Sequence, residues 1–282
     1  VTGAGEQPGA HVELDALGVE LGALDIHGPS VPHAERLSDR VRSAVQAVST
    51  SGIQVVVSTG RSLHSVLPIL DRLGLQDGYA VCSNGAVVLR LDPRLPCRYE
   101  IVHTETFNPA AVLKLLRDRL PTALYALEVV GEGYRLTAPF PPGELPDPFE
   151  IVPFDVLLDV PATRVIVRSL DHTTQEFLDL TEQLGLHEVS YAVGWTAWLD
   201  LAPDGVSKAS ALEIVRRRLG VAASRTLAVG DGRNDLEMFA WAARAVAMGQ
   251  SAPDVLGAAD EVTATVWADG LALVLEPLIG GS

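Results

Sequence analysis

The chain has 282 residues, of which 48% are hydrophobic and 20% charged. That balance excludes wholesale disorder and leaves room for one large domain or two ordinary ones. Its net charge of −15 argues against nucleic-acid and anionic-membrane partners, and no apolar run nears the roughly 18–20 residues of a membrane helix.

Residues 1–19 are rich in Gly, Ala and Glu and read as a loose tail, with helical character near Leu14–Leu17. Leu21–Ile26 is the first strand expected. Ser38 can cap a helix whose apolar positions are Val41, Ala44, Val45 and Val48, ended by Gly52. Ile53–Ser58 is a β-branched run of the kind buried on both faces of a parallel sheet. Leu63, Val66, Leu67 and Leu70 predict a helix ending at Gly74, with Pro68 imposing a kink or a late start. Tyr79–Ser83 is the next strand. This alternation predicts a doubly wound, mainly parallel Rossmann-like sheet.

The rhythm then changes. Val87–Leu91 and Arg98–His103 flank Asp92–Pro93 as a hairpin. A helix at Pro109–Leu120 and strands at Leu124–Val130 and Gly133–Thr137 follow. Ala138–Pro153 carries six prolines and reads as loop. Thr163–Val167 is another strand and Thr174–Leu184 another helix. The first rhythm returns with a strand at Ala197–Leu201 and a helix capped by Ser207 that carries Leu212, Val215 and Leu219. Strand Thr226–Val229, helix Asn234–Ala243 and strand Ala245–Met248 come next, with short elements over 254–282. The expected organisation is an α/β core from residues 20–85 and 196–282, interrupted by an α+β unit at 86–195.

Ligands of open parallel sheets bind beyond the carboxyl ends of the strands. Those ends carry Asp25 and His27; Thr59, Gly60 and Arg61; Ser83 and Asn84; and Asp231, Asn234 and Asp235. Lys208 opens the Ser207-capped helix, where the dipole favours anions. Asp25 and Asp231 are hard oxygen ligands suited to Mg²⁺. Thr59, the Gly60 N–H and Lys208 can hold phosphate oxygens, and Asp25 can attack phosphorus. Lys114 and Lys208 are the only lysines beside 19 arginines, so a lysine at this position is a specific choice. Cys82 and Cys97 are the only cysteines, which fits a reducing, cytoplasmic setting. No basic start followed by an apolar stretch is found, so no signal peptide is expected.

These residues resemble the haloacid dehalogenase superfamily of phosphohydrolases, and within it the Cof-type (class IIB) branch with an α/β cap between its second and third motifs. The resemblance covers residues 20–282. It rests on Val55-Val56-Val57-Ser58-Thr59-Gly60-Arg61, Ser83-Asn84-Gly85-Ala86, Gly205-Val206-Ser207-Lys208 and Gly230-Asp231-Gly232-Arg233-Asn234-Asp235. It implies a hydrolase of a small phosphorylated metabolite acting through an aspartyl-phosphate on Asp25. It implies Mg²⁺ held by Asp25, the His27 carbonyl and Asp231 with support from Asp235. Phosphate contacts from Thr59, Lys208 and Asn234 are implied as well. Asn84 would orient the cap hinge, and Arg61 would either bridge to the cap or pair with a carboxylate.

The first motif departs from the family's D-x-D-G-T, reading Asp25-Ile26-His27-Gly28-Pro29. His27 stands where the family has its acid/base Asp, and histidine can serve that role near neutrality. Pro29 removes a hydroxyl and an N–H. Two readings follow: a hydrolase in which His27 replaces the acid/base, and a catalytically silent binder of a phosphorylated ligand. Transfer to an acceptor other than water is a third reading, and no residue in the chain selects among acceptors.

Overall fold

The computed structural model describes residues 18–25, 37–145, 148–183, 189–193 and 197–279. Strands β1 (Leu21–Leu24), β2 (Gln54–Ser58), β3 (Gly78–Cys82), β4 (Val87–Leu91), β5 (Tyr99–Thr104), β12 (Thr226–Gly230), β13 (Arg244–Ala247) and β14 (Glu261–Val262) build one sheet. Its order is β14-β13-β12-β1-β2-β3-β4-β5. The strands from β14 to β3 run parallel, while β4 and β5 add on antiparallel.

Side chains alternate across this sheet, so both faces are apolar and both are covered. Leu24, Val55, Val57, Ala80 and Cys82 pack against α1 (Asp39–Thr50), α2 (Leu63–Leu73) and α9 (Gly270–Leu275). Leu21, Ala23, Val56 and Val81 pack against α6 (Lys208–Leu219), α7 (Leu236–Trp241) and α8 (Pro253–Leu256). Ser38 caps α1 through Val41 N–H at 3.1 Å, as its sequence position predicts. α2 begins at Leu63 with Pro68 inside it, so the helix does not start late. The missing Pro68 N–H removes one intrahelical donor without ending the helix, because Val66, Leu70 and Leu73 remain buried.

The second sheet is the cap. Strands β6 (Leu124–Val129), β7 (Gly133–Leu136), β8 (Phe149–Ile151), β9 (Arg164–Arg168), β10 (Val189–Val193) and β11 (Trp198–Pro203) take the order β10-β11-β9-β6-β7-β8. One face packs Tyr125, Leu127, Val165, Val167, Leu199 and Leu201 against α3 (Ala110–Arg119), α4 (Phe154–Leu157) and α5 (Thr174–Gln183). The opposite face is mixed. It carries Ala126, Tyr134, Leu136 and Ile166, with Trp198 edge-on to Phe140 at 5.9 Å. Among the described residues no helix is long and apolar enough to cross a membrane.

Several elements differ from expectation. The β4–β5 hairpin, expected in the inserted unit, hydrogen-bonds to β3 and extends the core sheet. Conversely β11, expected to reopen the core, pairs with β9 and β10 in the cap. A strand's own pattern says which faces are buried but not which sheet supplies its edge partner. The proline-rich stretch holds β8, which runs parallel to β7 at the sheet edge, where proline neighbours are tolerated. The helix expected over Asn234–Ala243 is a 3₁₀ turn at Arg233–Asp235 followed by the short α7.

Candidate active site

Asp25 follows β1, and its N–H donates to Val229 O at 2.8 Å, which pins it beside the end of β12. Asp231 follows β12, and Asp235 ends the 3₁₀ turn beyond it. Ligand oxygens of Asp25, Asp231 and Asp235 lie within 4.8 Å of one another. Asp235 is fully buried; its Oδ2 accepts the N–H groups of Asp231 and Gly232, each at 2.9 Å. A Cβ on Gly230 would stand 2.5 Å from that carboxylate, so glycine there lets the turn close over Asp235.

Lys208 enters from the first turn of α6, whose Ser207 cap accepts the Ser210 N–H. Its ammonium is buried, 2.7 Å from Asp235 Oδ1 and 3.1 Å from Asp25 Oδ1. Burial opposes the charge, but Asp235 and Asp25 outweigh it and hold the lysine pKa above its ordinary value. Burial, and then Asp25, push the Asp235 carboxyl up to about 6 against the pull of Lys208. Among the described residues, the Asp25–Asp231–Asp235 cluster gathers three carboxylates of hard oxygen donors and meets one ammonium, on Lys208, which pairs with Asp25 and Asp235. That donor set fits a divalent cation of the Mg²⁺ type.

Thr59, Gly60 and Arg61 leave β2, the neighbour of β1. Thr59 is buried, its N–H donates to Val81 O at 2.9 Å, and its Oγ1 accepts the Arg61 N–H at 3.2 Å. The turn after β3 embraces this loop. Ser83, Asn84 and Gly85 all have positive φ (52°, 53° and 107°), and a Cβ on Gly85 would stand 2.1 Å from Ser207 O. Glycine at that point therefore lets the turn meet the start of α6, which carries Lys208.

The residues expected to act together fall into three groups. Asp25, Lys208, Asp231 and Asp235 converge directly. Thr59 and Gly60 lie on the adjacent strand end. Asn234, expected on phosphate, donates its amide to Asn84 Oδ1 at 2.9 Å, so it orders the turn after β3; that turn joins two core strands and is not the cap hinge Asn84 was expected to orient. Arg61 Nε is buried and without a hydrogen-bond partner among the described residues, which favours neither of its two expected roles. His27 lies outside the described residues, with Gly28 and Pro29.

Sequence reasoning missed three residues that hold this site. Gln250 donates to Asp231 Oδ2 at 2.8 Å and accepts the Val266 N–H at 2.9 Å. Glu128 and Arg164 project from the mixed face of the cap, cross-strand neighbours on β6 and β9. Glu128 Oε1 accepts the Ser83 hydroxyl, and Arg164 Nη1 donates to Gly60 O at 2.8 Å. The available signal was a charged side chain at a core-like position of an otherwise apolar strand.

A family model described as haloacid dehalogenase-like hydrolase matches residues 23–275. Phosphatase YwpJ of Bacillus subtilis (strain 168) is 25% identical over 295 residues, which span 93% of this chain and 100% of its own. The 5-amino-6-(5-phospho-D-ribitylamino)uracil phosphatase YcsE of the same organism is 26% identical over 261 residues, 93% of this chain and 96% of its own. Among solved structures, the phosphatase BT1666 of Bacteroides thetaiotaomicron aligns with a TM-score of 0.76 at 22% identity, over 96% of this chain and 99% of its own.

Proposed function

The chain belongs to the haloacid dehalogenase-like hydrolase family, and we propose that it hydrolyses the phosphoric monoester of a small metabolite with Mg²⁺ at the Asp25–Asp231–Asp235 cluster. The observation that carries this reading is the buried Lys208 ammonium between Asp25 and Asp235, beside a third carboxylate. Relatives named as phosphatases over nearly the whole chain support the same class of reaction.

In this reading the Asp25 carboxylate attacks phosphorus. An oxygen–phosphorus bond forms to Asp25 as the bond to the leaving alcohol breaks, and His27 delivers a proton to that alcohol. Water then attacks the phosphorus of the aspartyl-phosphate, giving its proton to His27 and restoring Asp25. Thr59, the Gly60 N–H, Lys208 and Asn234 hold the phosphoryl oxygens. Bound Mg²⁺ would supply positive charge against the phosphoryl group, held by Asp25, the His27 carbonyl and Asp231 with Asp235 behind them. In this reading the cap runs between the connections at 105–109 and 204–207 and excludes water from the ester.

The departure of His27 and Pro29 from the family's first motif keeps the silent-binder reading in play. One experiment separates the two. Phosphate release from nitrophenyl phosphate and a panel of sugar phosphates is followed with Mg²⁺ from pH 5 to 9, with Asp25→Asn alongside. Turnover lost in Asp25→Asn and in a chelator supports the hydrolase. Phosphate binding without turnover in either protein overturns it in favour of the binder.

A further inference from the structure

The carbonyls of Thr59, Gly60 and Arg61 each accept a hydrogen bond. Thr59 O accepts the Asn84 N–H at 3.1 Å and Arg61 O accepts the Ser83 N–H at 2.8 Å, both from the adjoining turn. The middle one is different: Gly60 O accepts Nη1 of Arg164, a cap side chain 104 residues away. A peptide's C=O and the N–H that follows it point in opposite directions because the unit is planar and trans. Fixing Gly60 O therefore fixes the Arg61 N–H, which donates to Thr59 Oγ1 at 3.2 Å. A hydroxyl oxygen that accepts at one lone pair must send its own proton elsewhere. The orientation of the Thr59 hydroxyl thus traces back to one guanidinium on the other sheet.

We infer that Arg164 is a positioning residue, through which docking of the cap sets the donor geometry of the Thr59–Gly60 turn. The inference rests on the reading of that turn as the phosphate-binding one. Arg164 is itself held rigidly. Nε donates to Glu128 Oε2 at 2.9 Å, Nη2 donates to the Tyr134 hydroxyl at 2.8 Å, and Asp200 Oδ1 lies 3.6 Å from Nη1. Tyr134, Glu128 and Arg164 form one row across β7, β6 and β9, so cross-strand register alone brings them together. Glu128 closes the loop by accepting the Ser83 hydroxyl, on the turn whose backbone holds the other two carbonyls. A buried guanidinium is costly unless its donors are all used, and a planar fork meets these acceptors where an ammonium cannot.

The test is the affinity of the full chain for inorganic phosphate with Mg²⁺, by titration calorimetry, for wild type, Arg164→Met, Arg164→Lys and Tyr134→Phe. Arg164→Met is expected to weaken phosphate binding about tenfold, as for a lost charge-assisted hydrogen bond, and Arg164→Lys to recover part of it. Tyr134→Phe removes a bond to the same guanidinium but leaves the Gly60 contact, so its phosphate affinity should stay within about twofold of wild type. Equal weakening in Tyr134→Phe and the Arg164 variants would make the role structural and overturn the inference, as would wild-type affinity in Arg164→Met. Should Arg164→Met not fold, Arg164→Lys against Tyr134→Phe decides by the same criterion. A wild type that binds no phosphate overturns this inference together with the reading beneath it. A wild type that binds phosphate without turnover sinks only the hydrolase, and the affinity comparison still decides the role of Arg164.

Discussion

Asn234 donates its side-chain amide to Asn84 Oδ1 at 2.9 Å, joining the turn after β12 to the turn after β3 across 150 residues of sequence. Asn84 is also in the left-handed region, with φ 53°. Two separable effects follow from one residue. Asn84→Ala loses the hydrogen bond and gains a backbone penalty, together about 2 kcal/mol, whereas Asn84→Gly loses only the bond, about 1 kcal/mol. Thermal unfolding should therefore place Asn84→Ala below Asn84→Gly, and both below wild type. The reverse order would mean that backbone strain in this turn is unimportant.

Gln250 touches Asp231 and no other member of the acidic cluster by hydrogen bond. Partners of this kind orient a metal ligand without binding the metal, and losing one typically costs about 10–100-fold in metal affinity. Gln250→Ala should raise the Mg²⁺ concentration needed for half-maximal activity by that factor. Saturating Mg²⁺ should restore most of the rate. An unchanged Mg²⁺ requirement would place the cation away from Asp231.

Lys208 is a buried point charge, and the pocket around it fits an ammonium. Lys208→Met should lower turnover by roughly 10²-fold or more, and Lys208→Arg should fail to rescue it, because a planar fork cannot replace a compact donor between two carboxylates. Steady-state kinetics on nitrophenyl phosphate reads both variants. Rescue by arginine would argue that only net charge matters there.

Glu213 ties α6 to itself and to α7. It accepts Arg216 Nε and Nη2, each at 2.7 Å, Arg217 Nε at 2.6 Å and Trp241 Nε1 at 3.1 Å. The bonds from Arg216 lead the causes that hold its carboxyl well below the usual carboxylate range. A depressed carboxylate stabilises the fold above its unfolded pKa, about 4.3, and that contribution is lost as pH falls toward the folded value. Glu213→Gln should thus destabilise the fold at pH 7 by an amount on the order of 1 kcal/mol given its partial exposure, seen as a lower Tm, and the gap should narrow at pH 3. A gap that widens in acid would contradict the assignment.

The residues that converge were legible because each sits at the carboxyl end of a predicted strand or the start of a capped helix. Those positions alone put Asp25, Thr59, Asp231 and Lys208 on one rim. The excess of arginine singled out Lys208, which proves to be buried. Sheet membership was harder to read. Val87–Leu91 is nearly all buried and Trp198–Pro203 alternates, yet neither pattern identifies the strand alongside. Arg164 sits near the start of the strand expected at Thr163–Val167, and only the approach of the cap to Gly60 reveals what it holds. Gln250 had no local signal, since its partners lie 19 residues before it and 16 after.

The scarcity of lysine has a practical consequence. Lys208 is sealed between two carboxylates, while Lys114 is exposed on α3 of the cap. In the folded protein an acylating dye therefore finds a single side-chain amine, and that amine rides on the cap. A fluorophore coupled there, paired with an acceptor on the core, would convert cap movement into a distance signal, and the cap label needs no engineered attachment point.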